Sequence, residues 1–91
     1  MTVNVRIPSQ LRSLCGGAGE VSVEGATAGE ALKALDVACP GLADRLFDEG
    51  GQIRRSVNLF VDDEDVRFLD GLETALTDGQ TLSIVPAVAG G

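Results

Sequence analysis

Four short stretches of this chain alternate apolar and polar residues, the period of a strand with one buried face. In the first, Val3, Val5 and Ile7 share one side, Thr2, Asn4 and Arg6 share the other, and Pro8 closes the run. Val21 and Val23 alternate with Glu20, Ser22 and Glu24 in the second, which ends at Gly25. Gly16, Gly17 and Gly19 fall between them, so the pair reads as a hairpin with a long, glycine-rich connection. The third stretch sets Val57, Leu59 and Val61 against Ser56, Asn58 and Phe60. The fourth follows the turn signal Thr77-Asp78-Gly79-Gln80, with Leu82 and Ile84 inward and Ser83 and Val85 outward. Pro86 has no N–H to donate and is expected to end regular pairing.

One segment changes period. Thr27-Ala28-Gly29-Glu30 fits a capping box, in which the Thr27 hydroxyl accepts from the Glu30 N–H while the Glu30 carboxylate reaches back. Ala31, Leu32, Leu35 and Cys39 then recur at helical spacing until Pro40 stops the helix. Leu42, Ala43, Leu46 and Phe47 predict a further helical turn before Gly50-Gly51. Asp62–Asp65 reads as a turn, Val66–Phe68 as a short edge strand, and Leu72, Ala75 and Leu76 as a packed turn. The order predicts an α+β fold, with one main helix covering a mixed sheet of four or five strands. Residues 1–86 make a single domain, and residues 87–91 form a small, uncharged tail beyond the core.

With 91 residues and an apolar fraction of 44%, the chain suffices for one modest core. Three Phe and no Trp or Tyr make that core aliphatic. Asp and Glu total 14 against 7 Lys and Arg, a net charge of −7. A nucleic-acid partner requires a basic stripe that neutralises phosphates, and the only adjacent cations are Arg54 and Arg55. That class is excluded, and so is attraction to an anionic membrane. The Arg54-Arg55 pair reads equally well as a contact for acidic partner groups or as the solvated flank of a strand.

Candidate chemistry is sparse. Histidine is absent, which removes the commonest acid-base residue and every His-dependent nucleophile or metal set. Neither an enzyme nor a resident metal or cofactor is expected. The acidic run 62–65 lacks the glycine and distal glutamate of a calcium loop and reads as a solvated turn. Cys15 and Cys39 have neither disulfide-framework density nor metal spacing, so they are expected to be free, inert thiols in a reducing cytosol. Met1 opens on an alternating segment with no basic region and no continuous apolar stretch. No secretory signal or membrane span is expected, and the cytoplasm is the expected location.

Leu76 to Gly91 runs as turn, final strand, proline, short tail and two glycines. With the element order, this resembles the β-grasp (ubiquitin-like) sulfur-carrier proteins of the ThiS and MoaD family. Val57 to Phe68 is similar to the CysO-type subgroup, whose carriers bring sulfur to cysteine synthesis. The resemblance implies that an E1-like adenylating and sulfurtransferase enzyme, using ATP and a sulfur source, turns the Gly91 carboxylate into a thiocarboxylate. It implies a pyridoxal-phosphate-dependent cysteine synthase as recipient and a separate peptidase to release cysteine. Three other fates share the same tail: a MoaD-like subunit of molybdopterin synthase, a sulfur donor to natural-product biosynthesis, and a ubiquitin-like protein modifier.

The tail suits that chemistry. Ala87, Val88, Ala89, Gly90 and Gly91 can extend roughly 16–18 Å. Glycine tolerates torsions that a narrow channel imposes and other residues refuse. In the β-grasp order the first strand lies beside the last, and the last beside strand 56–61. Arg6, Phe60 and Val85 are then expected together on the outer face, near Ser83 and Asn58, as a docking surface for the partner.

Overall fold

The computed structural model describes residues 1–86. Strands β1 (Thr2–Arg6) and β2 (Glu20–Glu24) pair antiparallel, with Val3 opposite Val23 and Val5 opposite Val21. Two helices, α1 (Ala28–Ala38) and α2 (Leu42–Leu46), follow. Strand β3 (Val57–Val61) pairs antiparallel with the last strand, β5 (Thr81–Pro86), which also runs parallel to β1. A two-residue β4 (Glu64–Asp65) closes the far edge, so the sheet order is β2-β1-β5-β3-β4. The first and last strands are therefore neighbours at the centre, the arrangement expected of a β-grasp.

The alternation seen in the sequence becomes the two faces of this sheet. Val3, Val5, Ile7, Val23, Leu59 and Leu82 are buried against Ala31, Leu32 and Leu35 of α1 in one aliphatic core. At the start of α1, Thr27 Oγ1 accepts from the Glu30 N–H at 3.2 Å. The reciprocal half of the expected capping box differs: the Glu30 carboxylate accepts from the Ala26 N–H at 3.4 Å, one residue further back. An isolated bridge between Thr27 and Ala75 ties this cap to the segment before β5, leaving Leu76 buried.

Several local expectations change. Val66–Phe68 is a 3-10 turn and not an edge strand, because the Asp65 carboxylate caps it by accepting from the Arg67 N–H at 2.9 Å. Glu64 and Asp65, read as part of a turn, supply the edge strand instead. Pro86, expected to end regular pairing, is the last described residue of β5 and lies opposite Val57.

The largest correction concerns the cysteines. Ser9–Cys15 winds as a 3-10 helix in the first part of the connection between β1 and β2, ahead of its glycines. It carries Cys15 over the end of α1, where Cys39 is the capping residue. The two are disulfide-bonded, with Cα atoms 4.8 Å apart across 24 positions of sequence, and are not free thiols. Helical spacing placed Cys39 inward, and Leu11, Leu14 and Cys15 also recur at helical spacing and pack against the core, a signal that the glycine-rich reading of the connection passed over. Among the described residues no helix is long and apolar enough to cross a membrane.

Candidate functional site: the sheet face and the root of the tail

Ala87, Val88, Ala89, Gly90 and Gly91 lie outside the described residues. The structure does define where they attach. Pro86 ends the central strand β5 and is the Cα partner of Val57.

On the sheet face away from α1, the outward side chains fall into rows set by strand register. Arg6 is the partner of Ser83, and Ser83 is the partner of Phe60. The same row continues to Glu20 on β2 and Asp65 on β4. Asn58 and Val85 are partners in the next row toward the tail. The five residues expected together are thus neighbours across three strands. Val85 is 42% exposed and Arg6 is exposed, whereas Phe60 is half-buried. Phe60 and Val85 lie on a diagonal close enough for an aromatic ring and a branched side chain to form one apolar spot.

A shallow depression of about 230 Å³ adjoins this spot, lined by Arg6, Pro8, Arg12, Ser83 and Val85. Arg12 Nε donates to the Ile7 carbonyl at 2.9 Å, which fixes its guanidinium at the rim. Arg12 was missed in the sequence, because it belongs to the 3-10 segment that has no alternating pattern. Two cations therefore border the face near Pro86 in a chain whose net charge is −7.

The acidic turn has structural employment. Asp62 adopts φ 56°, a left-handed conformation that short polar side chains tolerate. Its carboxylate accepts from the Gln80 side chain at 3.1 Å and the Thr81 N–H at 3.3 Å, joining the turn to β5. Asp65 accepts from the Arg67 N–H and pairs with the guanidinium at 3.2 Å. The backbone bond first, then the side chain, hold the Asp65 carboxyl below its ordinary value of 3.8. Arg67 also donates to Asn58 Oδ1, so it bends over the outer face from the sheet edge. Among the described residues no group of three or more potential ligands is placed to hold a metal ion.

A model of the ThiS family matches residues 5–91. The sulfur carrier protein CysO of Mycobacterium tuberculosis is 46% identical over 93 aligned positions, covering all of both chains. Small archaeal modifier protein 3 of Haloferax volcanii is 42% identical over 66 residues, covering 72% of this chain and 71% of the relative. The fold superposes with a TM-score of 0.92 on a chain in the crystal structure of the Amycolatopsis orientalis BexX/CysO complex. That match has 45% identity and covers 98% of this chain and 99% of the other.

Proposed function

The chain belongs to the ThiS family, and from that premise we propose that it is a sulfur carrier working through Gly91 in the cytoplasm, where ATP is available. The observation that carries this reading is that the family match extends through the terminal Gly90-Gly91. A Gly91 carboxylate oxygen attacks the α-phosphate of ATP in the site of an E1-like enzyme, and pyrophosphate leaves. A sulfur nucleophile then attacks the acyl carbonyl, and AMP leaves. Supplied as sulfide, it gives the thiocarboxylate directly. Supplied from a partner's persulfide, it needs a thiol to release it. The chain contributes the acyl group and a docking face, and the partner contributes the catalysis.

Cysteine synthesis is the route this reading favours, supported by the full-length identity with CysO. The thiocarboxylate sulfur attacks the acceptor formed from activated serine on a pyridoxal-phosphate-dependent cysteine synthase. An acyl shift onto the amine leaves cysteine joined to Gly91 as an amide, which a peptidase hydrolyses. The similarity to a small archaeal modifier protein supports a second reading, in which the activated Gly91 is joined to lysines of other proteins. Neither route passes through the Cys15–Cys39 disulfide, which a reducing cytoplasm would be expected to challenge.

ATP–pyrophosphate exchange by the adenylating enzyme tests the proposal. Exchange is expected to depend on the full-length chain and to vanish on deletion of Gly91. Undiminished exchange by the truncated chain would refute it.

A further inference from the structure

A second recess opens on the other side of β3. This cleft, of about 240 Å³, has an apolar floor that includes Val57, Leu59 and Leu72, and a rim that includes Arg54 and Arg55. Two of the chain's seven cations, Arg54 and Arg55, therefore flank one apolar opening, while the net charge is −7. Arg67, which also lines the cleft, is paired with Asp65. Among the described residues the Arg54 guanidinium donates only to the Asp44 carbonyl, at 3.1 Å, and neither Arg54 nor Arg55 has a carboxylate at ion-pair distance.

The fold holds the two arginines in place. The Asp48 carboxylate accepts from the N–H groups of Gly50 and Gln52, at 2.9 and 3.0 Å, and rigidifies the glycine turn before them. The Arg54 N–H donates to the Leu46 carbonyl at 2.9 Å, and the Val57 N–H donates to the Arg54 carbonyl at 3.0 Å. The cleft also lies along an incompletely paired edge. Strand β4 reaches only Phe60 and Val61, so among the described residues Val57–Leu59 have no strand on that side. A free edge beside an apolar recess suits an extended segment with one inserted side chain.

Position identifies whose segment it is. Val57 is the partner of Pro86, so the cleft stands beside the root of the tail. The tail's extended length is roughly 16–18 Å, so an enzyme that takes Gly91 into its site must bring its surface close to that root. Adenylation is the one step common to every fate of the tail. We propose that the Arg54–Arg55 cleft docks an extended acidic segment of the adenylating enzyme, with an apolar side chain on Val57, Leu59 and Leu72. This inference rests on the carrier reading and adds a partner contact on the face opposite Phe60 and Val85.

The test is ATP–pyrophosphate exchange by the adenylating enzyme as the concentration of the carrier is varied. Arg54→Glu/Arg55→Glu is expected to raise KM for the carrier roughly tenfold or more, with kcat near wild type. Added salt should raise the wild-type KM and leave that of the double variant flat or falling. The Arg54→Lys/Arg55→Lys pair keeps the charge and should retain most of the affinity. Both arginines are exposed, so thermal unfolding should not change and serves as the control for folding. An unchanged KM after charge reversal overturns the proposal, as does a loss confined to kcat. Concentration-dependent self-association abolished by the same reversal would assign the cleft to a second copy and also overturn it. Exchange that persists without Gly91 would instead refute the carrier reading, a result separate from any of these.

Discussion

Arg6 and Phe60 stand in one row of the outer sheet face, each the Cα neighbour of Ser83. Two residues 54 positions apart in sequence (60 minus 6) are thereby held two strands apart, with Val85 in the adjoining row. Their separation is fixed by the parallel β1–β5 register and the antiparallel β5–β3 register, so it does not depend on side-chain order.

This geometry predicts a division between binding and folding. Phe60→Ala and Val85→Asp should weaken binding to the adenylating enzyme while leaving most of the stability intact, since both lie on the outer face. Leu59→Ala empties a core position and should cost roughly 2–5 kcal/mol. Urea titrations with parallel binding measurements check this. A Phe60→Ala loss of stability equal to that of Leu59→Ala would contradict the face assignment.

The Cys15–Cys39 bridge predicts a redox-dependent stability. Closing a loop across 24 positions restricts the unfolded chain, and a bridge of this kind contributes about 2–4 kcal/mol. Cys15→Ser should lower the denaturation midpoint to that of the wild type in reductant, and reductant should not move the variant further. Equal midpoints for oxidised wild type and Cys15→Ser would contradict the bridge.

Gly25 sits against the first turns of α1. A Cβ there would lie 2.7 Å from Ala31 N and 2.9 Å from its Cα, both backbone atoms that cannot rotate away. Gly25→Ala should therefore cost about 1–3 kcal/mol through forced displacement of the helix. At Gly50 the nearest neighbour of an added Cβ is Asp48 Oδ1 at 3.4 Å, and Gly50→Ala should be within about 0.5 kcal/mol of neutral. Thermal unfolding of the two variants separates these outcomes. Equal losses would refute the close approach.

Asp65 predicts a contribution on the acid side. Its folded carboxyl is held below 3.8 by the Arg67 N–H and guanidinium. The stabilisation is therefore present above the unfolded value and lost as pH falls through the lower folded one. Asp65→Asn should be less stable than wild type near neutral pH, and the difference should close on acidification. Urea midpoints across that range check it, and a gap that widened in acid would contradict the sign.

The sheet was legible because strands with one buried face carry their orientation in a period of two. Val3, Val5, Leu59, Leu82 and Ile84 are all buried as that period requires. The helix was legible from Thr27 to Pro40 because cap, apolar stripe and stop agree. What escaped was structure held by side chain to backbone bonds. The Asp65 cap made a 3-10 turn of an apparent strand, and the Asp48 carboxylate ordered the glycine turn before Arg54. Such bonds leave single polar residues and no periodicity, so they were invisible to patterning. The Arg54-Arg55 pair, open to two readings in the sequence, acquired a location only when β3 and Leu72 supplied the floor beneath it.

Intact-protein mass spectrometry tests the central claim most directly. The chain, isolated after reaction with its adenylating enzyme, ATP and sulfide, is predicted to carry one sulfur in place of one oxygen, located at Gly91 by fragmentation. Added cysteine synthase and activated serine should then convert that species to a cysteinyl adduct at the same residue. A terminus that stays a carboxylate while the enzyme turns over ATP would contradict the carrier account. A thiocarboxylate that forms and never gains cysteine would contradict the cysteine route alone.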